Sequence, residues 1–131
     1  MNLQKKPAAA IFDFDDTLVR TGPMIVDIYR RIFDRLEIPF THDDLAPGIP
    51  TREFVRLVGQ NHGRVVGVDA CAAAERQYRR AYAASAATIA QLLEPTAAEL
   101  LAELRAAGIR TAIASSGFGV ADVARTIGLS P

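Results

Sequence analysis

Apolar residues fall along the chain in two rhythms: short continuous runs, and longer stretches in which they recur every three or four positions. The first run, Ala8-Ala-Ala-Ile-Phe-Asp-Phe-Asp15, lies between Pro7 and the polar pair Asp16-Thr17. Its length and composition predict a β-strand buried on both faces, with two carboxylates at its C-terminal end. From Thr21 the rhythm becomes helical. Met24, Ile25, Ile28, Ile32 and Leu36 share a face, Thr21 is a candidate N-cap, Pro23 suits the first turn and Pro39 stops the helix. Thr41-His-Asp-Asp44 has the form of a capping box for a short second helix, and Pro47-Gly-Ile-Pro50 reads as a loop. Thr51 caps a third helix, carrying Phe54, Leu57 and Val58 and ending near Gly59. A fourth helix is predicted from about Asp69 to Leu92, with Tyr78, Tyr82 and Ile89 on its apolar stripe, until Glu94-Pro95 breaks it. Thr96-Ala-Ala-Glu99 opens a fifth helix through Leu100, Leu101 and Leu104, with Gly108 at its C′ position. A second strand, Arg110-Thr-Ala-Ile-Ala-Ser115, then leads through Ser116-Gly117 into a last helix marked by Val120, Val123 and Ile127.

Two strands joined by helical crossovers predict an α/β fold with a parallel sheet. The segment between them is too long for one crossover helix, so it reads as a helical subdomain inserted after the first strand. The expected division is residues 1–18 and 94–131 in the α/β core and residues 19–93 in the insertion. Half of the 131 residues are hydrophobic, which is enough for a core. Fifteen basic and fifteen acidic residues cancel, so no strong basic field is expected to hold nucleic acid or an anionic membrane. One cysteine and two histidines argue against a disulfide framework or a structural zinc site. The apolar run beginning at Ala8 is cut by Asp13, well short of the roughly 7–15 residues of a signal core. The expected location is the cytoplasm.

The strongest chemical signal is Asp13 with Asp15. Residues two apart on a strand point to one side. Two carboxylates facing one way beside Phe12 and Phe14 repel each other and resist desolvation, and a divalent cation would relieve both costs. The C-terminal end of a parallel strand is also where α/β sheets hold ligands. Ser115 closes the second strand just before a turn and a helix, where its hydroxyl and the Ser116 backbone N–H suit a phosphate. Gly117-Phe-Gly119 lacks the third glycine of a dinucleotide fingerprint and reads as a turn. No role is assigned to His42 or His62.

Asp13-Phe-Asp-Asp-Thr17 resembles the D-x-D-x-T motif of the haloacid-dehalogenase-like (HAD) superfamily, with Asp16 where glycine is usual. The resemblance implies a Rossmann-like core, here apparently truncated, with residues 19–93 as an α-helical cap like that of phosphoglycolate phosphatases and β-phosphoglucomutases. It implies that Asp13 is the nucleophile forming an aspartyl-phosphate, and that Asp15 is the general acid and base. Asp13 and Asp15 would be Mg²⁺ ligands, and Thr17, Ser115 and Ser116 would bind the phosphate. Arg52, in Gly48-Ile-Pro-Thr-Arg52, would face the distal end of the substrate or else be a solvated arginine at a helix start. Dehalogenating members lack the second Asp, so Asp15 favours phosphoryl transfer.

The family also has a later lysine and a later acidic motif. Lys5 and Lys6 are the only lysines, and Asp122 is the only acid after Ser115. The chain is therefore expected to be the N-terminal part of such an enzyme and a poor phosphatase by itself. The implied activity is Mg²⁺-dependent hydrolysis of a small phosphorylated metabolite. The alternatives are a phosphomutase, a non-catalytic phosphate-binding or regulatory form, and a receiver-type domain. Oligomeric state and substrate identity stay open.

Overall fold

A computed structural model describes residues 7–129. Its order is β1 (Ala9–Phe12), α1 (Gly22–Arg35), a 3₁₀ turn (His42–Asp44), α2 (Thr51–Asn61), α3 (Val68–Ala84), α4 (Ala86–Gln91), α5 (Pro95–Ala106), β2 (Arg110–Ile113) and α6 (Val120–Thr126). β1 and β2 pair in parallel, with Ala9 opposite Arg110 and Phe12 opposite Ile113. The fold is a small parallel α/β core of the Rossmann-like kind with a large helical insertion between its strands.

β1 departs from expectation. It spans four residues and alternates in burial, and Ile11 is 71% exposed. Among the described residues the sheet has two strands, and its packing half-buries only alternate positions. A continuous apolar run does not reveal how many layers will cover it.

The insertion packs around α3, which lies against both α1 and α2. Ile28, Tyr29, Ile32 and Phe33 of α1 meet Phe54, Val55 and Val58 of α2 and Cys71, Ala74, Tyr78 and Tyr82 of α3 in the buried cluster. Its centre is aromatic. Phe33 stacks on Phe40 with centroids 4.8 Å apart, and Tyr29 meets Phe54 edge-on at 4.6 Å. Gly59 lies inside α2, which runs on to Asn61. A Cβ built on it would come within 2.6 Å of Val66 Cγ2, so the glycine lets the returning chain pack close.

The fourth expected helix is two. Ser85 separates α3 from α4, and its hydroxyl donates to the carbonyl of Ala81 at 2.8 Å. Such back-bonding competes with the helix ladder and bends it. α5 starts at Pro95 with Glu94 as N-cap, so Thr96 falls inside the first turn and the expected box with Glu99 does not cap it. Glu94 instead forms a two-pronged ion pair with Arg20. That pair fastens the two points where the chain passes between sheet and insertion. Arg20 N–H donates to the Leu92 carbonyl and Glu94 N–H to that of Leu18, each at 2.9 Å. Gly108 ends α5 at φ +71°, as its position suggested.

Candidate active site

After β1 the chain folds on itself. The carbonyl of Phe14 accepts from the N–H groups of Leu18 at 2.9 Å and Val19 at 3.2 Å, and Asp16 N–H donates to the Val19 carbonyl at 2.7 Å. The tightness places Asp16 at φ +56°, in the left-handed region that aspartate tolerates better than most residues. Its carboxylate accepts from Gly22 N–H at 2.7 Å and so caps α1 from outside the helix. A Cβ on Gly22 would lie 2.6 Å from Asp16 Oδ2, so that contact needs glycine.

Thr21 holds the N-cap position of α1, as expected, but its side chain does other work. It makes no cap hydrogen bond, is fully buried, and donates its hydroxyl to Asp15 Oδ1 at 2.6 Å. The Tyr82 hydroxyl, brought in by α3, donates to the same oxygen at 2.8 Å. Thr51, the expected cap of α2, is instead its first residue, with Pro50 at the N-cap, and its hydroxyl lies 3.2 Å from that of Tyr29.

Burial drives the Asp15 carboxyl above the ordinary aspartate value. The bonds from Thr21 and Tyr82 pull it back, and the neighbouring charges of Asp13 and Asp16 push it up further. The folded chain therefore binds more protons than the unfolded one, and this contribution to stability falls as pH rises through the window between the ordinary and the raised value. Asp15→Asn keeps an acceptor oxygen for both hydroxyls and carries no charge. In metal-free buffer its urea midpoint is expected to exceed that of the unsubstituted chain at neutral pH, with the gain vanishing in acid. A lower midpoint at neutral pH would contradict this account of Asp15.

Asp13 is exposed, and its Oδ1 accepts from Phe14 N–H at 2.8 Å. Ser115 and Ser116 are exposed beyond β2, and Ser115 Oγ accepts from Gly117 N–H at 3.0 Å. Gly117 is where the two strand ends meet. A Cβ built there would stand 3.3 Å from Ser115 Oγ and 3.4 Å from Asp15 Oδ2. Asp13, Asp15, Ser115 and Ser116 line one cavity of about 820 Å³, roofed by residues of the insertion.

Thr17 and Arg52 are not among the residues lining this cavity. Thr17 is exposed on the loop, and its N–H donates to the Phe14 carbonyl at 3.3 Å. The Arg52 guanidinium is paired with Glu75, which also holds Arg79 at 2.6 Å. Thr21 and Tyr82 escaped the sequence reading, because a threonine before a helix looks like a cap and a tyrosine on a helical stripe looks like core.

Members of the superfamily whose D-x-D-x-T motif Asp13–Thr17 resembles generally use Mg²⁺. Asp13 and Asp15 offer two carboxylates to such an ion, but Asp15 Oδ1 already accepts two hydroxyls. Among the described residues no group of three or more acidic, histidine or cysteine side chains is placed to hold a metal. These residues therefore do not complete a Mg²⁺ site.

The chain resembles known proteins over nearly its whole length. Residues 7–130 match the family model described as haloacid dehalogenase-like hydrolase. The chain is 31% identical over 115 residues to the tyrosine-protein kinase PtkA of Mycobacterium tuberculosis, a match covering 86% of this chain and 37% of the relative. It superposes on a β-phosphoglucomutase from Clostridium difficile with TM-score 0.82 at 17% identity, covering 95% of this chain and 58% of that one. A predicted phosphoglycolate phosphatase from Haemophilus somnus gives 0.75 at 18% identity, with 96% and 60% covered. The chain thus spans little more than a third of the curated relative and under two thirds of these structures. With a D-x-D-x-T loop at the end of one parallel strand and a serine at the end of the next, facing one cavity, the chain belongs to the haloacid dehalogenase-like hydrolase family.

Proposed function

We propose that the protein transfers the phosphoryl group of a small phosphomonoester to Asp13 and then to water. The observation that carries this reading is the convergence of Asp13, Asp15, Ser115 and Ser116 on one cavity. An Asp13 oxygen attacks phosphorus, the ester P–O bond breaks, and the departing oxygen takes the proton of Asp15. Asp15 then takes a proton from water as the water oxygen attacks phosphorus. The acyl-phosphate P–O bond breaks, and Asp13 and inorganic phosphate are regenerated. An Asp15 pushed upward by burial holds its proton to higher pH than an exposed aspartate, as the first step asks. Ser115 and the turn after it would hold a phosphate oxygen. Mg²⁺ would add charge neutralisation at the phosphoryl group.

The described residues lack a complete set of Mg²⁺ donors and contain no lysine to neutralise the phosphate. The 131-residue polypeptide is therefore expected to hydrolyse p-nitrophenyl phosphate only slowly with Mg²⁺ present. Rapid hydrolysis by this polypeptide, lost in Asp13→Asn, would refute that expectation. The chemistry itself is tested by acid-quenching the reaction and locating the phosphoryl group by mass spectrometry. A phosphorylated Asp13 is expected, and turnover without any adduct there would overturn the mechanism.

The name of the mycobacterial relative favours a second reading, in which a tyrosine hydroxyl replaces water as the acceptor. Product analysis separates the two: inorganic phosphate supports hydrolysis, and phosphotyrosine supports the second.

A further inference from the structure

We infer that Tyr78 contacts the substrate and sets its specificity: its hydroxyl donates a hydrogen bond to an oxygen that the leaving group carries beyond the ester bond. This rests on the phosphoryl-transfer reading above and deepens it. The three tyrosines of the chain form a ladder through the insertion. Tyr82 and Tyr78, one helical turn apart on α3, stack with ring centroids 6.0 Å apart, and Tyr29 of α1 follows at 5.0 Å from Tyr78. The hydroxyls at the two ends are engaged. That of Tyr82 donates to Asp15, and that of Tyr29 lies 3.2 Å from the Thr51 hydroxyl. The middle hydroxyl, that of Tyr78, has no hydrogen-bond partner among the described residues.

Tyr78 is 7% exposed, and it lines the cavity that Asp13, Asp15, Ser115 and Ser116 share. Among the described residues no buried side-chain oxygen or nitrogen lacks a partner, so the Tyr78 hydroxyl is the part of the residue left open, and it opens into that cavity. Burial first, and then the neighbouring Tyr29 and Asp15, push the phenol above its ordinary value, so the hydroxyl keeps its proton to donate. The ladder also fixes which part of a substrate it meets. A phosphoryl group on Asp13 and Ser115 lies at the core end. Asp15, which serves the departing oxygen, is held by Tyr82, and Tyr78 stands one rung further into the insertion. An atom there belongs to the leaving group. An alkyl carbon would strip the hydroxyl of water and offer no acceptor, whereas an oxygen restores the lost bond. Arg30 and His42 also line the cavity, but both are exposed, and Arg30 is paired with Asp27. The Tyr78 ring is clamped between two others, and a fixed donor discriminates oxygen from carbon better than a mobile one.

The test is a titration of the 131-residue chain in Mg²⁺ buffer, followed by NMR shifts, with three inert probes: inorganic phosphate, n-propylphosphonate and 2-hydroxyethylphosphonate. The two phosphonates are of one length and differ in a terminal methyl or hydroxyl, so the ratio of their affinities isolates the oxygen. Tyr78→Phe keeps the ring and removes only the hydroxyl. It is expected to lower the preference for 2-hydroxyethylphosphonate over n-propylphosphonate about threefold to tenfold, the value of one neutral hydrogen bond. Inorganic phosphate binding and the melting curve should not change. If Tyr78→Phe fails to fold, the Tyr78 ring resonances of the unsubstituted chain decide: 2-hydroxyethylphosphonate should shift them more than n-propylphosphonate, and equal shifts overturn the inference. An unchanged preference in Tyr78→Phe overturns it too, as does an equal loss of affinity for all three probes, the mark of a merely structural role. In each of these cases phosphate binding at the Ser115–Gly117 turn leaves the phosphoryl-transfer reading standing. Failure of all three probes to perturb that turn in the unsubstituted chain overturns both.

Discussion

Asp13→Asn is expected to lower phosphoryl transfer at least about 10⁴-fold, the order of loss seen when a covalent nucleophile is removed. The side chain is exposed, and its one hydrogen bond is to the adjacent Phe14 N–H through an oxygen that asparagine retains. The fold should therefore survive with an unchanged melting curve, and the loss should appear in the chemical step. Single-turnover measurement on an aryl phosphate reads it, and residual activity above a few per cent would remove Asp13 from the nucleophile's role. Asp15→Asn supplies the contrast. It removes a proton donor, which matters less when the leaving group is a stable phenolate, so it should slow alkyl phosphates more than p-nitrophenyl phosphate. Equal losses on both esters would argue against Asp15 as the acid.

Phe33→Ala is expected to cost about 3–5 kcal/mol of stability, the usual range for emptying a buried phenylalanine site. Its ring is fully buried, stacks on Phe40 and meets Phe54 at 5.9 Å, so neighbours on α1, α2 and the intervening loop all lose contacts. Against a typical total of about 5–15 kcal/mol, such a loss leaves a substantial unfolded fraction. Urea unfolding should show a large fall in midpoint. Phe118→Ala is the internal control. That ring is 43% exposed and lies under the Arg79 guanidinium at 3.8 Å, so its removal should cost well under half as much. Comparable losses would mean that the aromatic centre of the insertion is not its main source of stability.

The parts of the site that follow a backbone period were legible in the sequence. Asp13 and Asp15 stand two apart at a strand end, and Ser115 ends the next strand, so their convergence follows from parallel pairing. The donors that hold Asp15 follow no period. Thr21 and Tyr82 reach one oxygen from segments far apart in the chain, and each fits a commoner role in its own segment. Arg52 was read from its place in a loop, and loop position does not say that Glu75 on the next helix will claim the guanidinium. The helices were found from their apolar faces, but the break at Ser85 turns on one side-chain bond to a backbone carbonyl and leaves the apolar stripe intact. Burial of β1 was misread because the residues of a strand do not state what lies across from them.

The pairing of β1 with β2 also has a consequence in time. Ala9 and its register partner Arg110 are separated by almost the whole described chain. A ribosome adding about 5–20 residues per second needs on the order of 5–20 s to deliver the second strand after the first. During that interval β1 lacks the one partner it has among the described residues, and Ile11 and the strand's hydrogen-bonding edges are open to any extended chain nearby. The helices of the insertion emerge meanwhile and pack on one another, because their contacts lie within the segment already made. Birth order therefore sets the hazard. The first of the described strands is among the last of the described elements to be satisfied, and the newborn chain is more vulnerable to misassociation at β1 before Arg110 leaves the ribosome.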